Sequence, residues 1–184
     1  MRRHILTGTP GAGKTTIAGL LAAAGHTVVP ETATDLITRA QAAGDPLPWN
    51  APDFLDAIAR EQHRRQVHAD TLPGPSQYFD RSPICTLALA RLQGRAIGPA
   101  LTAELDRIRR EAVYQRRVLF VENLGFITHT EARHIGLQEA LHFEQIHRDT
   151  YRELGYECLS IPPAPAPERA ALVLHLTAEE HTRA

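Results

Sequence analysis

The chain has 184 residues, 43% hydrophobic and 22% charged, with a formal net charge of -1. That balance predicts a single soluble globular domain over 1–184; it excludes a disordered or fibrous segment, and a near-neutral charge argues against a binder of nucleic acid or of an anionic membrane surface. The two cysteines, Cys85 and Cys158, form no CxxC pair, no apolar run is long enough to span a bilayer and no apolar signal core follows Met1, so the expected compartment is the cytoplasm.

The apolar run 5–7 reads as a strand that stops at a Gly-rich stretch, and 14–24 then has the Ala, Leu and Ile content of a helix. Gly25 closes that helix as a C-cap residue does, and 26–29 reads as a second buried strand ended by Pro30. A helix over 32–43 is stopped by Gly44, Asp45 and Pro46. The loop 46–50 carries two prolines and the only tryptophan, Trp49, which either anchors packing or lines a pocket; a long polar helix over 52–69 follows. A third strand, 77–79, ends at Asp80-Arg81-Ser82-Pro83 and enters a helix that runs through Arg91, with Pro83 suited to its first turn. Next come a helix over 99–115, a strand over 118–121 and the polar stretch 122–135. A helix over 137–154 capped by Gly155, a strand over 156–161 and a terminal helix after Pro167 complete the chain. Five short apolar strands alternating with helices imply parallel βαβ units and a three-layer α/β sandwich.

Gly8-Thr9-Pro10-Gly11-Ala12-Gly13-Lys14-Thr15 fits G-x-x-x-x-G-K-[ST], the phosphate-binding loop, in the strand-to-helix context that its chemistry requires. Successive backbone N–H groups of such a loop point at phosphate oxygens, and glycine allows backbone angles that a Cβ forbids. Lys14 is expected to bridge the β and γ phosphates of ATP and the Thr15 hydroxyl to hold Mg²⁺, with Thr16 completing the nucleotide-contacting set. Lys14 is the only lysine among the 20 basic residues. An N/T-K-x-D guanine signature therefore cannot exist, which favours ATP over GTP.

Carboxyl ends of parallel strands line the ligand crevice, so the residues that follow them are the next candidates. Asp80 can hold Mg²⁺ or act as base, and Arg81 can steady a phosphate or the acceptor; the alternative is that Asp80 or Ser82 caps the following helix. Glu31, just after the second strand, can take the proton of an attacking hydroxyl, or it is a surface acid at a helix N-terminus. Glu122, at the end of the fourth strand, competes with Asp80 as the Walker B-type acid, and strand order is expected to decide between them. Arg109, Arg110, Arg116, Arg117, Arg148 and Arg152 read as solvated faces and intrahelical pairs. The ten histidines show no H-x-x-x-H or H-E-x-x-H spacing for a metal.

Together, the 8–15 loop, Val28-Val29-Pro30-Glu31 and Asp80-Arg81-Ser82 resemble the P-loop nucleoside and nucleotide kinases. The chain is similar in particular to a group of predicted bacterial ATPases of AAA-type label, akin to the ribosylnicotinamide kinase domain of bacterial NAD-biosynthesis regulators. The resemblance implies a five-stranded parallel sheet of order 2-3-1-4-5 and a lid, here 122–136. It also implies Glu31 as the base and Arg81 as the acceptor-side arginine. Arg133, in Thr128-His129-Thr130-Glu131-Ala132-Arg133, would be the lid arginine that closes over the γ-phosphate. Two departures stand out: Asp80 replaces the glutamate of deoxynucleoside kinases, and the lid offers one arginine rather than several. The reading is an ATP-dependent, Mg²⁺-requiring phosphotransferase, monomeric or homodimeric, acting on a small-molecule acceptor such as a nucleoside, nucleotide or antibiotic. Its alternative is an ATP-binding regulatory switch, or an ATPase acting through a protein partner.

Overall fold

Strand β1 (Arg2–Thr7) sits at the centre of a five-stranded parallel sheet of order β2-β3-β1-β4-β5, the order that the resemblance implies. The others are β2 (Thr27–Val29), β3 (Ser76–Asp80), β4 (Arg117–Val121) and β5 (Glu157–Ile161). The computed structural model describes residues 1–124 and 137–182. Of the predicted lid, 122–136, the part from 125 to 136, with Arg133, lies outside the described residues.

Each strand presents successive side chains to opposite faces, and the two cores follow that alternation. Ile5, Phe79 and Val118 face one layer, whereas Leu6, Tyr78 and Leu119 face the other. Helices α1 (Lys14–Ala23) and α7 (Ala166–Thr182) pack together over the Leu6 face. The opposite face is covered by α3 (Phe54–Ala69), α4 (Pro83–Leu92), α5 (Pro99–Arg110) and α6 (Leu137–Glu153). Helix α2 (Ala33–Ala42) has no fully buried residue and lies outside these layers, beside a one-turn 3-10 helix at Pro48–Asn50. Among the described residues no helix is long and apolar enough to cross a membrane.

Helix ends follow local chemistry. Gly25 takes φ 88° and its N–H reaches Ala22 O while His26 N–H reaches Leu21 O, a paired closure that only a left-handed residue permits. Ser82 caps α4, its Oγ accepting from Ile84 N–H at 3.3 Å, with Pro83 in the first turn. The helix expected over 99–115 ends at Arg110 instead. Ala112 turns to φ 47°, which swings Val113 and Tyr114 into the core. Burial of those two side chains outweighs the helical periodicity of the segment.

Candidate functional site

Because β3 and β4 both pair with β1, the carboxyl ends of three strands lie side by side, with Leu6 in register with Asp80 on one side and Leu119 on the other. The loop 8–13 leaves from the middle of that edge. Gly8 has φ 131°, and a Cβ there would stand 2.2 Å from the carbonyl oxygen of Val121, so the loop passes where only glycine fits. Helix α1 then begins with neither an acidic residue in its first turn nor a side-chain cap, so its first N–H groups remain available to an anion.

Lys14 is 5% exposed, and its Nζ donates to Thr9 O at 2.7 Å. Burial, reinforced by the neighbouring Arg81 guanidinium and opposed by Asp80, lowers its pKa to about 7. An arriving phosphate would restore the full charge. The Thr15 hydroxyl donates to Asp80 Oδ2 at 3.3 Å. Asp80 Oδ1 and Thr9 Oγ1 are buried with no hydrogen-bond partner among the described residues. Burial raises the pKa of Asp80, against the attraction of Lys14 and Arg81.

Arg81 holds φ 80°, a left-handed backbone that costs a non-glycine residue about 1–3 kcal/mol and that clusters at functional sites. Its N–H donates to Leu6 O at 3.0 Å, and its Nε pairs with Glu31 Oε1 at 3.0 Å. Glu31 also accepts from Thr34 Oγ1 at 2.5 Å. Burial pushes the Glu31 carboxyl up, but Arg81, Thr34 and Lys14 together outweigh it and leave its pKa below the ordinary value. Glu31 is thus ionised and aimed by two partners.

These residues share one cavity of about 610 Å³, bounded by the loop from Pro10 to Thr16, by Glu31, Asp80 and Arg81, and across from them by Thr34, Ile37 and Thr38 of α2. Another cavity of about 610 Å³ lies at the amino ends of the strands around Tyr78 and Leu174. Among the described residues its lining holds no Lys, Arg, Asp or Glu, whereas the first cavity gathers Lys14, Glu31, Asp80 and Arg81.

Strand order does not separate Asp80 from Glu122, contrary to expectation, because both flanking strands adjoin β1. Side-chain partners do. Glu122 pairs through Oε1 with Arg148 at 2.9 Å, whereas Asp80 meets the Thr15 hydroxyl. Arg148 is itself a correction to the solvated reading: its side chain is 16% exposed, and its guanidinium lies 3.9 Å from the Phe120 ring centre. Trp49 does not line this cavity; Arg95 Nη1 donates to its carbonyl at 2.9 Å beside the 3-10 turn. With Ser82 serving as the cap of α4, Asp80 is released from that role.

Sequence reasoning missed Arg65 of α3. Its guanidinium donates to Pro30 O at 3.1 Å, Glu31 O at 2.9 Å, Asp35 Oδ2 at 2.6 Å and Glu61 Oε1 at 2.9 Å. It braces the turn that carries Glu31 and the first turn of α2. The Glu61 pair is local, but Pro30, Glu31 and Asp35 lie 30 to 35 residues upstream, so no local signal could reveal the bracing role. His147 was read only as a non-ligand. It is fully buried, donates from Nδ1 to Phe143 O at 3.0 Å, and has a pKa lowered to about 3 by burial and then by Arg81.

Residues 3–169 match a family model described as an AAA domain. A search of curated proteins finds no match. Among solved structures, the chain is similar to deoxyadenosine kinase from M. mycoides with the products dCMP and a flexible dCDP bound. The TM-score there is 0.61 at 14% identity, with 96% of this chain and 99% of that one covered. The same kinase with bound dATP gives a TM-score of 0.54 at 13% identity, over 96% and 99% of the two chains. At that identity the likeness is one of fold.

Proposed function

The chain belongs to the AAA-domain family, and we propose that it is an ATP-dependent phosphotransferase that moves the γ-phosphoryl group to a hydroxyl or phosphate of a small molecule. A nucleoside, nucleotide or antibiotic is the acceptor class. The observation that carries this reading is the sharing of one cavity by the Lys14 cage, the Thr15–Asp80 pair and a separately braced carboxylate, Glu31. A nucleotide-binding cage alone needs no third group of that kind; transfer to an acceptor does.

Thr15 and Asp80 fit a hard divalent cation, because a hydroxyl and a carboxylate stand together and the second carboxylate oxygen is buried without a partner among the described residues. When bound, Mg²⁺ supplies neutralisation of the β and γ phosphate oxygens. Lys14 holds the same oxygens from the loop side, and the amides of Gly11 to Thr16 enclose them. Glu31 receives the proton of the acceptor hydroxyl at a carboxylate oxygen. As the acceptor's own hydroxyl oxygen bonds to the γ-phosphorus, the bond from phosphorus to the bridging oxygen breaks and ADP leaves. Arg81 steadies the acceptor or the moving phosphoryl group while orienting Glu31. Arg133, outside the described residues, is the arginine proposed to close over the γ-phosphate.

The test is incubation with Mg-ATP and a pool of hydroxylated metabolites, read by mass spectrometry for products heavier by a phosphoryl group. A phosphorylated product that disappears with Glu31→Gln supports the reading. ADP release that no acceptor changes would instead indicate transfer to water.

A further inference from the structure

Arg169, in the first turns of α7, is 2% exposed, and its guanidinium donates to three backbone carbonyls in three separate parts of the chain. These are Ala12 O in the phosphate loop at 2.6 Å, Glu122 O just past β4 at 2.8 Å and Ile161 O at the end of β5 at 3.1 Å. No sequence motif includes it, and the reaction above gives it no role. Ala12 lies 157 residues away along the chain.

The contact at Ala12 has a direct electrostatic consequence. A peptide group is planar and trans, so the carbonyl of Ala12 and the N–H of Gly13 point to opposite sides of the same plane. A cation holding that oxygen on the outer side of the loop aims the Gly13 N–H inward, toward the space in front of Lys14. It also polarises the peptide and so strengthens that N–H as a donor. Gly13 takes φ 86°, a left-handed backbone that glycine adopts without strain, so the loop can present this peptide to the guanidinium.

From this geometry we infer that Arg169 is a positioning residue for the phosphate cage: it fixes the Gly13 amide for an anion and ties that amide to the ends of β4 and β5. The inference rests on the nucleotide-binding reading of the loop. It assigns a share of phosphate affinity to the terminal helix, which also packs against α1. A lysine cannot replace it, since one ammonium on a flexible stem cannot reach three divergent carbonyls with the fork of a guanidinium.

The test is calorimetric titration of the full chain with Mg-ADP, using wild type, Arg169→Lys and Arg169→Gln, beside thermal unfolding of each without ligand. Affinity is expected to fall about 10- to 100-fold in both variants, as for loss of a hydrogen bond to a charged group, at a temperature where unfolding without ligand shows each variant still folded. In turnover assays the KM for ATP should rise while the KM for the acceptor stays. Wild-type affinity in Arg169→Lys overturns the inference and leaves Arg169 as a structural staple. Should the variants not fold, ¹⁵N-arginine spectra of the wild type decide: slower exchange of the Arg169 guanidinium protons on adding Mg-ADP supports it, and unchanged exchange overturns it. If wild type itself binds no Mg-ADP, the reading of the loop fails first, and that outcome is distinct.

Discussion

Thr15 and Asp80, 65 residues apart in sequence, meet through a hydrogen bond of 3.3 Å from hydroxyl to carboxylate. The contact joins the first turn of α1 to the end of the strand beside it, and it leaves one oxygen of Asp80 unpartnered among the described residues. Replacing Asp80 by Asn keeps the shape and removes the charge that attracts a divalent ion. The expected outcome is Mg-ADP affinity that no longer depends on Mg²⁺, measured by calorimetry with and without EDTA. Retained magnesium dependence would move the metal-binding role elsewhere.

Lys14→Met keeps much of the buried stem and deletes the ammonium. Turnover should fall about 10²- to 10³-fold, the scale seen when one charge-stabilising donor is removed from an active site. Initial rates of ADP release at saturating ATP read the effect directly.

Glu31→Gln should lower phosphoryl transfer about 10²- to 10⁴-fold as a general base is lost, with ATP affinity held. Arg65→Ala should act in the same direction but more weakly. Its loss frees the Pro30–Glu31 turn, so kcat falls while the KM for ATP is unchanged. An equal rise in the KM for ATP would place Arg65 outside base positioning.

His147 supplies a pH dependence of stability. Burial, with Arg81 and Lys14 nearby, lowers its folded pKa to about 3, against the partly compensating contact with Phe143 O. The unfolded state regains an ordinary value near 6.5, so it binds the extra proton between those limits and stability falls as pH drops through that window. Urea unfolding at pH 7.5 and pH 5 should therefore show wild type losing about 1–2 kcal/mol more than His147→Gln. Equal losses would mean that His147 is protonated in the fold.

Two glycine substitutions in the same loop should differ sharply. Gly8→Ala would place a Cβ 2.2 Å from the Val121 carbonyl, a clash with backbone that cannot move without β4. A loss of about 3 kcal/mol or more is expected. At Gly11 nothing lies within 4 Å of the added atom, and only the left-handed angle of φ 84° resists. That costs about 1–2 kcal/mol. Thermal midpoints of the two variants make the comparison.

Of the site, the phosphate loop was legible because its chemistry is local. The glycines, Lys14 and Thr15 are neighbours, and the strand before and helix after them follow from hydrophobic pattern. Glu31 and Asp80 could be named from their places at strand ends, since carboxyl edges of parallel strands converge. Their partners could not. Whether Asp80 caps a helix or meets Thr15, and whether Glu122 faces the cavity or Arg148, turns on side-chain directions that sheet pairing sets. The overrun of the 99–115 helix has a similar origin. Its periodicity continues, but the core takes Val113 and Tyr114 out of it.

By itself, then, the amino-acid order determined the alternation of strands and helices and the phosphate loop, because hydrophobic period, glycine freedom and helix caps act over a few residues. Only the tertiary structure decided what Arg65, Arg148 and Arg169 hold. They reach carbonyls, a carboxylate and an aromatic face far along the chain, and in sequence a guanidinium looks the same whether solvent or a folded loop awaits it.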